Sequence, residues 1–208
     1  MPTDPRVAAV IAAAAQGSGL DQRYPGFMER MAQIESSGNP DASNASGAAG
    51  LYQFMPKTAQ AYGLADPYDP EASAQAAARL TLDNEGTLKR SLGRDPTPGE
   101  LYLAHQQGAG GASKLLANPD APAADLVGAK AVTSNGGTAG MTARDFAGLW
   151  LNKFDGGGRT MTMPPSTSPK GNGPRAAAST CRIRASSSTS ASRGRSGRPR
   201  RAPRPACR

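Results

Sequence analysis

Apolar residues recur at helical spacing through most of the first 155 positions, and no stretch shows the strong alternation of a half-buried strand. The spacing predicts helices over 4–16, 24–36, 57–62, 70–92, 97–107, 112–117, 123–126 and 142–154. Clusters of Gly, Pro, Asn and Asp punctuate them, as at 17–19, 66–67 and 135–137. The expectation is a mainly α domain, with any sheet confined to a small ribbon around residues 44–54. The alanine-rich stretch 70–92, with Ala72, Ala76, Leu80 and Leu82 toward its inner face, suits the centre of the bundle. Thr142 is the expected N-cap of the last helix.

One helix carries an acid in an unusual place. Met28, Met31 and Ile34 form the apolar stripe of the segment 24–36, and Glu35 falls on the same stripe. Ser36-Ser37-Gly38-Asn39-Pro40 follows, so Gly38 can take a left-handed cap and Pro40 blocks continuation. Glu35 therefore sits in the last turn, at the negative end of the helix dipole and turned toward the core. Both placements favour the neutral carboxyl. A carboxylic acid held protonated is what glycosidic cleavage needs as a general acid. A surface or capping glutamate at a helix end fits the same helix, and the helix alone leaves both readings open.

The residues after Glu35 narrow the choice. Glu35-Ser36-Ser37-Gly38-Asn39-Pro40, then Asn44-Ala-Ser-Gly47-Ala-Ala-Gly50-Leu51-Tyr52-Gln53-Phe54-Met55-Pro56-Lys57-Thr58-Ala59, resembles the catalytic core of the soluble lytic transglycosylase family, with its goose-type lysozyme fold. The family pattern is E-S-x-x-x-P followed by S-x-x-G-A-x-G-L-x-Q-x-M-P-x-T-A, and Asn44 stands where its serine usually is. About a dozen specified positions at fixed spacing make this far more specific than a lone glycine motif. A second match, Ala104-His105-Gln106-Gln107-Gly108, resembles the family's A-Y-N-x-G segment, with His105 and Gln106 replacing Tyr and Asn.

The residue types fit such a site by themselves. Gly47 and Gly50 permit a closely approached backbone on which a sugar ring can lie. The Gln53 amide, between Tyr52 and Phe54, can both donate to and accept from acetamido and hydroxyl groups. Pro56 suits the first turn of a helix. Phe54 reads first as core, whereas Met55 matches a family position that lines the sugar cleft. Asn44 is either a turn residue or the site's substitute for the serine hydroxyl. His105 keeps a planar polar group, loses the phenol, and adds a titrating ring. The family's late tyrosine near the cleft has no counterpart after Tyr102; Trp150 or Phe146 can fill that volume, although core packing explains both.

The resemblance implies a lysozyme-like helical domain in which Glu35 is catalytic. It further implies that Ser36, Asn44, Gly50, Gln53, Met55, His105 and Gln106 bind substrate. The implied reaction cleaves the β-1,4 bond between N-acetylmuramic acid and N-acetylglucosamine of peptidoglycan glycan strands, with one glutamate as acid and then base. No cofactor and no metal is called for, and the single histidine excludes a two-histidine metal site. Asp41 reads as a turn residue, and the more distant Asp66, Asp69 and Asp83 stay open as second acids. Two alternatives stand beside the transglycosylase: a lysozyme-type hydrolase of the same bond, and a noncatalytic peptidoglycan-binding assembly component.

Charge divides the 208-residue chain sharply near Gly156-Gly157-Gly158. Residues 1–158 hold 12 Lys+Arg against 16 Asp+Glu, a net −4, whereas residues 159–208 hold 12 Lys+Arg and no acid. The expected division is a domain over 1–155, long enough to bury roughly two-thirds of its unfolded surface, and a disordered basic tail over 156–208. The tail reads as an arm holding the enzyme near an anionic polymer, without specific nucleic-acid recognition. Eleven of its twelve cations are Arg, which equally fits translation of a GC-rich gene in a shifted frame. Cys181 and Cys207 both fall there, so the domain needs no disulfide. A monomer is expected. The apolar run 7–15 lacks a net positive flank and is mostly alanine, so it reads as domain rather than signal peptide. No other segment approaches a membrane span. Action on extracytoplasmic peptidoglycan would then require a virion or a specialised secretion apparatus.

Overall fold

The computed structural model describes residues 3–156. The basic, cysteine-bearing segment expected over 156–208 lies outside the described residues from 157 onward. The described chain is mainly helical, as the sequence predicts. Its helices run in the order α1 (Pro5–Gly17), α2 (Leu20–Arg23), α3 (Phe27–Ser36), α4 (Pro56–Ala61), α5 (Pro70–Leu92), α6 (Pro98–Ala117), α7 (Ala123–Val127), α8 (Ala129–Ser134) and α9 (Ala143–Asp155).

Local chemistry sets most of these boundaries. Proline occupies the first turn of α1, α4, α5 and α6, where its missing N–H costs nothing. The Asp4, Asp69, Thr97 and Thr142 side chains accept hydrogen bonds from first-turn amides as N-caps. The α6 cap is a complete capping box. Glu100 returns a carboxylate oxygen to the Thr97 amide at 2.8 Å and takes a bidentate pair from Arg94 at 2.6 and 2.8 Å. Burial of Glu100 works against its charge, but Arg94 and the Thr97 amide outweigh it and hold the carboxyl below its usual range.

Three elements depart from the sequence expectation. The helix predicted over 24–36 begins only at Phe27, because Gly26 takes a left-handed conformation (φ 71°) after the separate turn α2. The short α8 has no apolar periodicity to announce it. The helices predicted over 97–107 and 112–117 run together as α6, interrupted only at Gly108, whose φ of 70° and ψ of 151° are non-helical.

Helix α5 packs against α1 and α6, and α6 against α9. The inner face of α5 is wider than the expected one. Ser73, Ala74, Ala76, Ala77, Ala78, Thr81, Asn84 and Leu88 are buried, whereas Ala72, Leu80 and Leu82 are only partly so. Neighbours on two sides make the buried arc wide, and small residues along it let the helix axes come close. The core then continues through Tyr102, Phe146, Met28, Met31 and Leu51, all essentially solvent-free.

The expected ribbon reduces to isolated antiparallel bridges, Ser43 with Ala49 and Ala49 with Phe54. Helices α3 and α9 are joined where the Arg30 Nε–H donates to the Phe154 carbonyl at 2.9 Å. Phe154 packs on Phe27 at 5.2 Å and on Tyr102 at 5.5 Å between ring centroids. That aromatic cluster ties the start of α3 to the first half of α6 and the end of α9.

Candidate active site

Glu35 occupies the last turn of α3, which is stopped by Ser37 in the left-handed conformation (φ 57°), followed by Gly38 (φ 76°). The expected glycine cap is therefore a two-residue turn. Its amides return to the carbonyls of Gln33 and Ala32 at 3.1 Å each. With Met28 and Met31 buried on the same stripe, the Glu35 side chain is left 11% exposed.

The carboxylate meets the middle of α6, just before its break at Gly108. Gln106 Nε2 donates to Glu35 Oε1 at 2.6 Å and to the Tyr102 hydroxyl at 3.2 Å. Both amide hydrogens are thereby used, leaving the amide oxygen to accept from a ligand. Burial, and then the nearby Glu35 carboxylate, push the Tyr102 phenol well above its usual range, so it stays protonated. The His105 Nε2 lies 4.0 Å from Glu35 Oε1. Its ring runs nearly parallel to Tyr102, with centroids 6.3 Å apart.

Burial lowers His105 below the ordinary histidine range, opposed only in part by Glu35 and the Tyr52 main chain. The neutral imidazole is the species at neutral pH, and its Nδ1 is buried without a hydrogen-bond partner among the described residues. A depressed folded value means that stability is full above the unfolded value of about 6.5 and is lost as pH falls through the folded value. Thermal melts should therefore fall between pH 7 and 5 more steeply for the native chain than for His105→Phe. Parallel curves would show that His105 does not titrate on unfolding.

The loop 44–55 forms the facing wall. Asn44 is a turn residue that also touches Gln53. Its Oδ1 accepts from the amides of Ser46 and Ala48, closing a turn, while its Nδ2 donates to Gln53 Oε1 at 3.2 Å. Gln53, in a left-handed conformation (φ 49°), donates to the carbonyls of Ala42 and Gly50 at 3.1 and 2.9 Å. The Gln53 amide thus braces the loop, and only spare acceptor capacity faces the cleft. Met55 is 45% exposed; Phe54 is core.

Glu35, Asn44, Gln53, Met55, His105 and Gln106 together line a cleft of about 370 Å³. Two residues expected at the substrate stand apart from it. The Ser36 hydroxyl donates to the Leu51 carbonyl at 2.9 Å, strapping α3 to the loop. Gly50 is approached by its own chain: a Cβ there would lie 1.8 Å from the Pro67 carbonyl oxygen. Asp66 and Asp69 accept from nearby amides, and Asp83 accepts from the Tyr62 hydroxyl at 2.9 Å. None of the three lines the cleft. Two larger grooves, of about 650 and 610 Å³, lie along α1 and α5 and behind the loop, and neither contains Glu35.

Sequence reasoning missed three contributors: Tyr102, which anchors Gln106, and Asn135 and Lys153, which complete the cleft. Phe146 is wholly buried, and Trp150 meets Tyr102 edge-on at 6.4 Å; neither reaches the cleft. Among the described residues no group of three His, Cys, Asp or Glu side chains is placed to hold a metal ion.

Residues 10–124 match a family model described as the transglycosylase SLT domain. A curated protein named transglycosylase, from Enterobacteria phage PRD1, is 39% identical over 85 residues. That match covers 39% of this chain and 31% of the relative, so it spans about a third of the relative's length.

Proposed function

Because the chain belongs to the transglycosylase SLT domain family, we propose that it is a peptidoglycan lytic transglycosylase cleaving the β-1,4 bond between N-acetylmuramic acid and N-acetylglucosamine. The observation that carries this reading is the single carboxyl group of the cleft. Among the described residues Glu35 is the one acid that lines it, facing polar groups on two walls.

The chemistry then runs through one residue. Glu35 gives a proton to the glycosidic oxygen as the bond to C1 breaks. The substrate's 2-acetamido oxygen stabilises the positive charge developing at C1. Glu35, now ionised, takes the proton from the muramyl 6-hydroxyl, whose oxygen attacks C1 and closes a 1,6-anhydro ring. Acid and base are the same group, no water is consumed, and the two-carboxylate arrangement of most glycosidases is not needed. Gln106 holds the carboxylate in place, and Tyr102 holds Gln106.

Mass spectrometry of digested sacculi tests the reaction. Anhydro-muramyl ends are expected; products heavier by one water, with reducing muramic acid, would make the enzyme a lysozyme-type hydrolase. Absence of any cleavage would leave a peptidoglycan-binding assembly component. The place of action is extracytoplasmic peptidoglycan, and the phage source of the relative favours a virion-associated route.

A further inference from the structure

We propose that Lys153 is a specificity residue, whose ammonium group recognises a carboxylate on the lactyl branch of the muramyl sugar. This rests on the saccharide reading of the cleft. Lys153 lines the same cleft as Glu35, from the last turn of α9, and is the only Lys or Arg among the described residues to do so. Glu35 is engaged by Gln106, and Lys153 makes no ion pair with any described residue.

Its position is fixed from both sides. The Phe154 side chain is buried against Phe27 and Tyr102, and Arg30 of α3 donates to the carbonyls of Lys153 and Phe154 at 3.4 and 2.9 Å. The Lys153 ammonium lies 5.7 Å from the centroid of the Trp150 ring, a cation–π contact that narrows where it can swing. A cation restrained at the rim of a polar cleft selects an anionic substituent beside the acid that cleaves the chain.

N-acetylglucosamine is neutral. N-acetylmuramic acid differs from it by a lactyl ether on C3, which ends in a carboxylate or continues through an amide into a peptide bearing carboxylates. Both sources offer the same recognisable group, next to the sugar whose C1 reacts. Neutral chitin-like chains offer none.

Binding separates these chains without requiring turnover. Glu35→Gln protein is titrated with three oligosaccharides of equal length: N-acetylglucosamine only, alternating glycan stripped of peptide, and alternating glycan with its stem peptides. The same titrations are run with Lys153→Met and Lys153→Arg added to Glu35→Gln. The preference for alternating over neutral chain should fall about fivefold in the methionine variant, the upper range for a partly exposed ion pair, and be kept by arginine. It should also weaken with salt more steeply in the Lys153 protein than in the methionine variant, which keeps the cations of residues 159–208. Loss of preference for stripped glycan assigns the lactyl carboxylate; loss confined to the peptide-bearing chain assigns the stem. An unchanged preference ratio in the methionine variant, with glycan still bound, would overturn the role of Lys153 alone. Failure to bind any of the three would remove the saccharide cleft and this role with it.

Discussion

Glu35→Gln is expected to lower the release of anhydro-muropeptides from sacculi by at least about a thousandfold. The size follows from the chemistry: a positioned proton donor contributes roughly a hundred- to ten-thousandfold, and here the same group must also receive the second proton. The amide cannot protonate the leaving oxygen, yet it preserves shape. Its oxygen can still accept from Gln106 Nε2, as Glu35 Oε1 does at 2.6 Å, so the melting temperature should stay within a few degrees of the native value. Quantified anhydro-ends, beside a thermal melt, check both halves. Equal clearing of wall material by the two proteins would remove Glu35 from the chemistry.

Gly50→Ala carries the largest expected structural effect. The added Cβ would meet the Pro67 carbonyl oxygen at 1.8 Å and its carbon at 2.7 Å, both main-chain atoms that cannot swing aside. The residue also holds a φ of 77°, a strained conformation for any L side chain. Together these predict a loss of about 3 kcal/mol or more, in the range of overpacking combined with backbone strain. The damage would spread to the site. The Gly50 amide donates to Ala42 at 2.8 Å and its carbonyl accepts from Gln53 at 2.9 Å, so moving Gly50 releases the loop bearing Asn44, Gln53 and Met55. Gly47→Ala is the control. Its φ is 85°, but nothing lies within 4 Å of the added carbon, so only the left-handed strain of about 1 kcal/mol applies. Denaturant unfolding of the two variants should rank them in that order; comparable losses would mean that the Pro67 contact is not what requires glycine.

The case of Gly50 shows where local reading stops. A glycine in a motif announces that something comes close to the backbone, but not what. Here the approaching group is a carbonyl seventeen positions along the chain, not a sugar. Gln53 makes the same point: its amide is chemically able to bind saccharide, and the folded loop consumes both of its donors.

What the linear order determined is whatever depends on neighbours within a turn or two. Proline at first-turn positions, Asp and Thr caps, the methionine stripe ending at Glu35, and the motif spacing from Glu35 to Ala59 are all such features, and they were readable because capping and periodicity act over a few residues. Tertiary packing alone decided which face of α5 is buried, since that depends on having α1 on one flank and α6 on another. It also brought Asn135 and Lys153 to the cleft of Glu35 from 100 and 118 positions away in sequence. No local pattern records those meetings. The approach of α9 to α3 and α6 follows from the packing of Phe154 on Phe27 and Tyr102, all three buried.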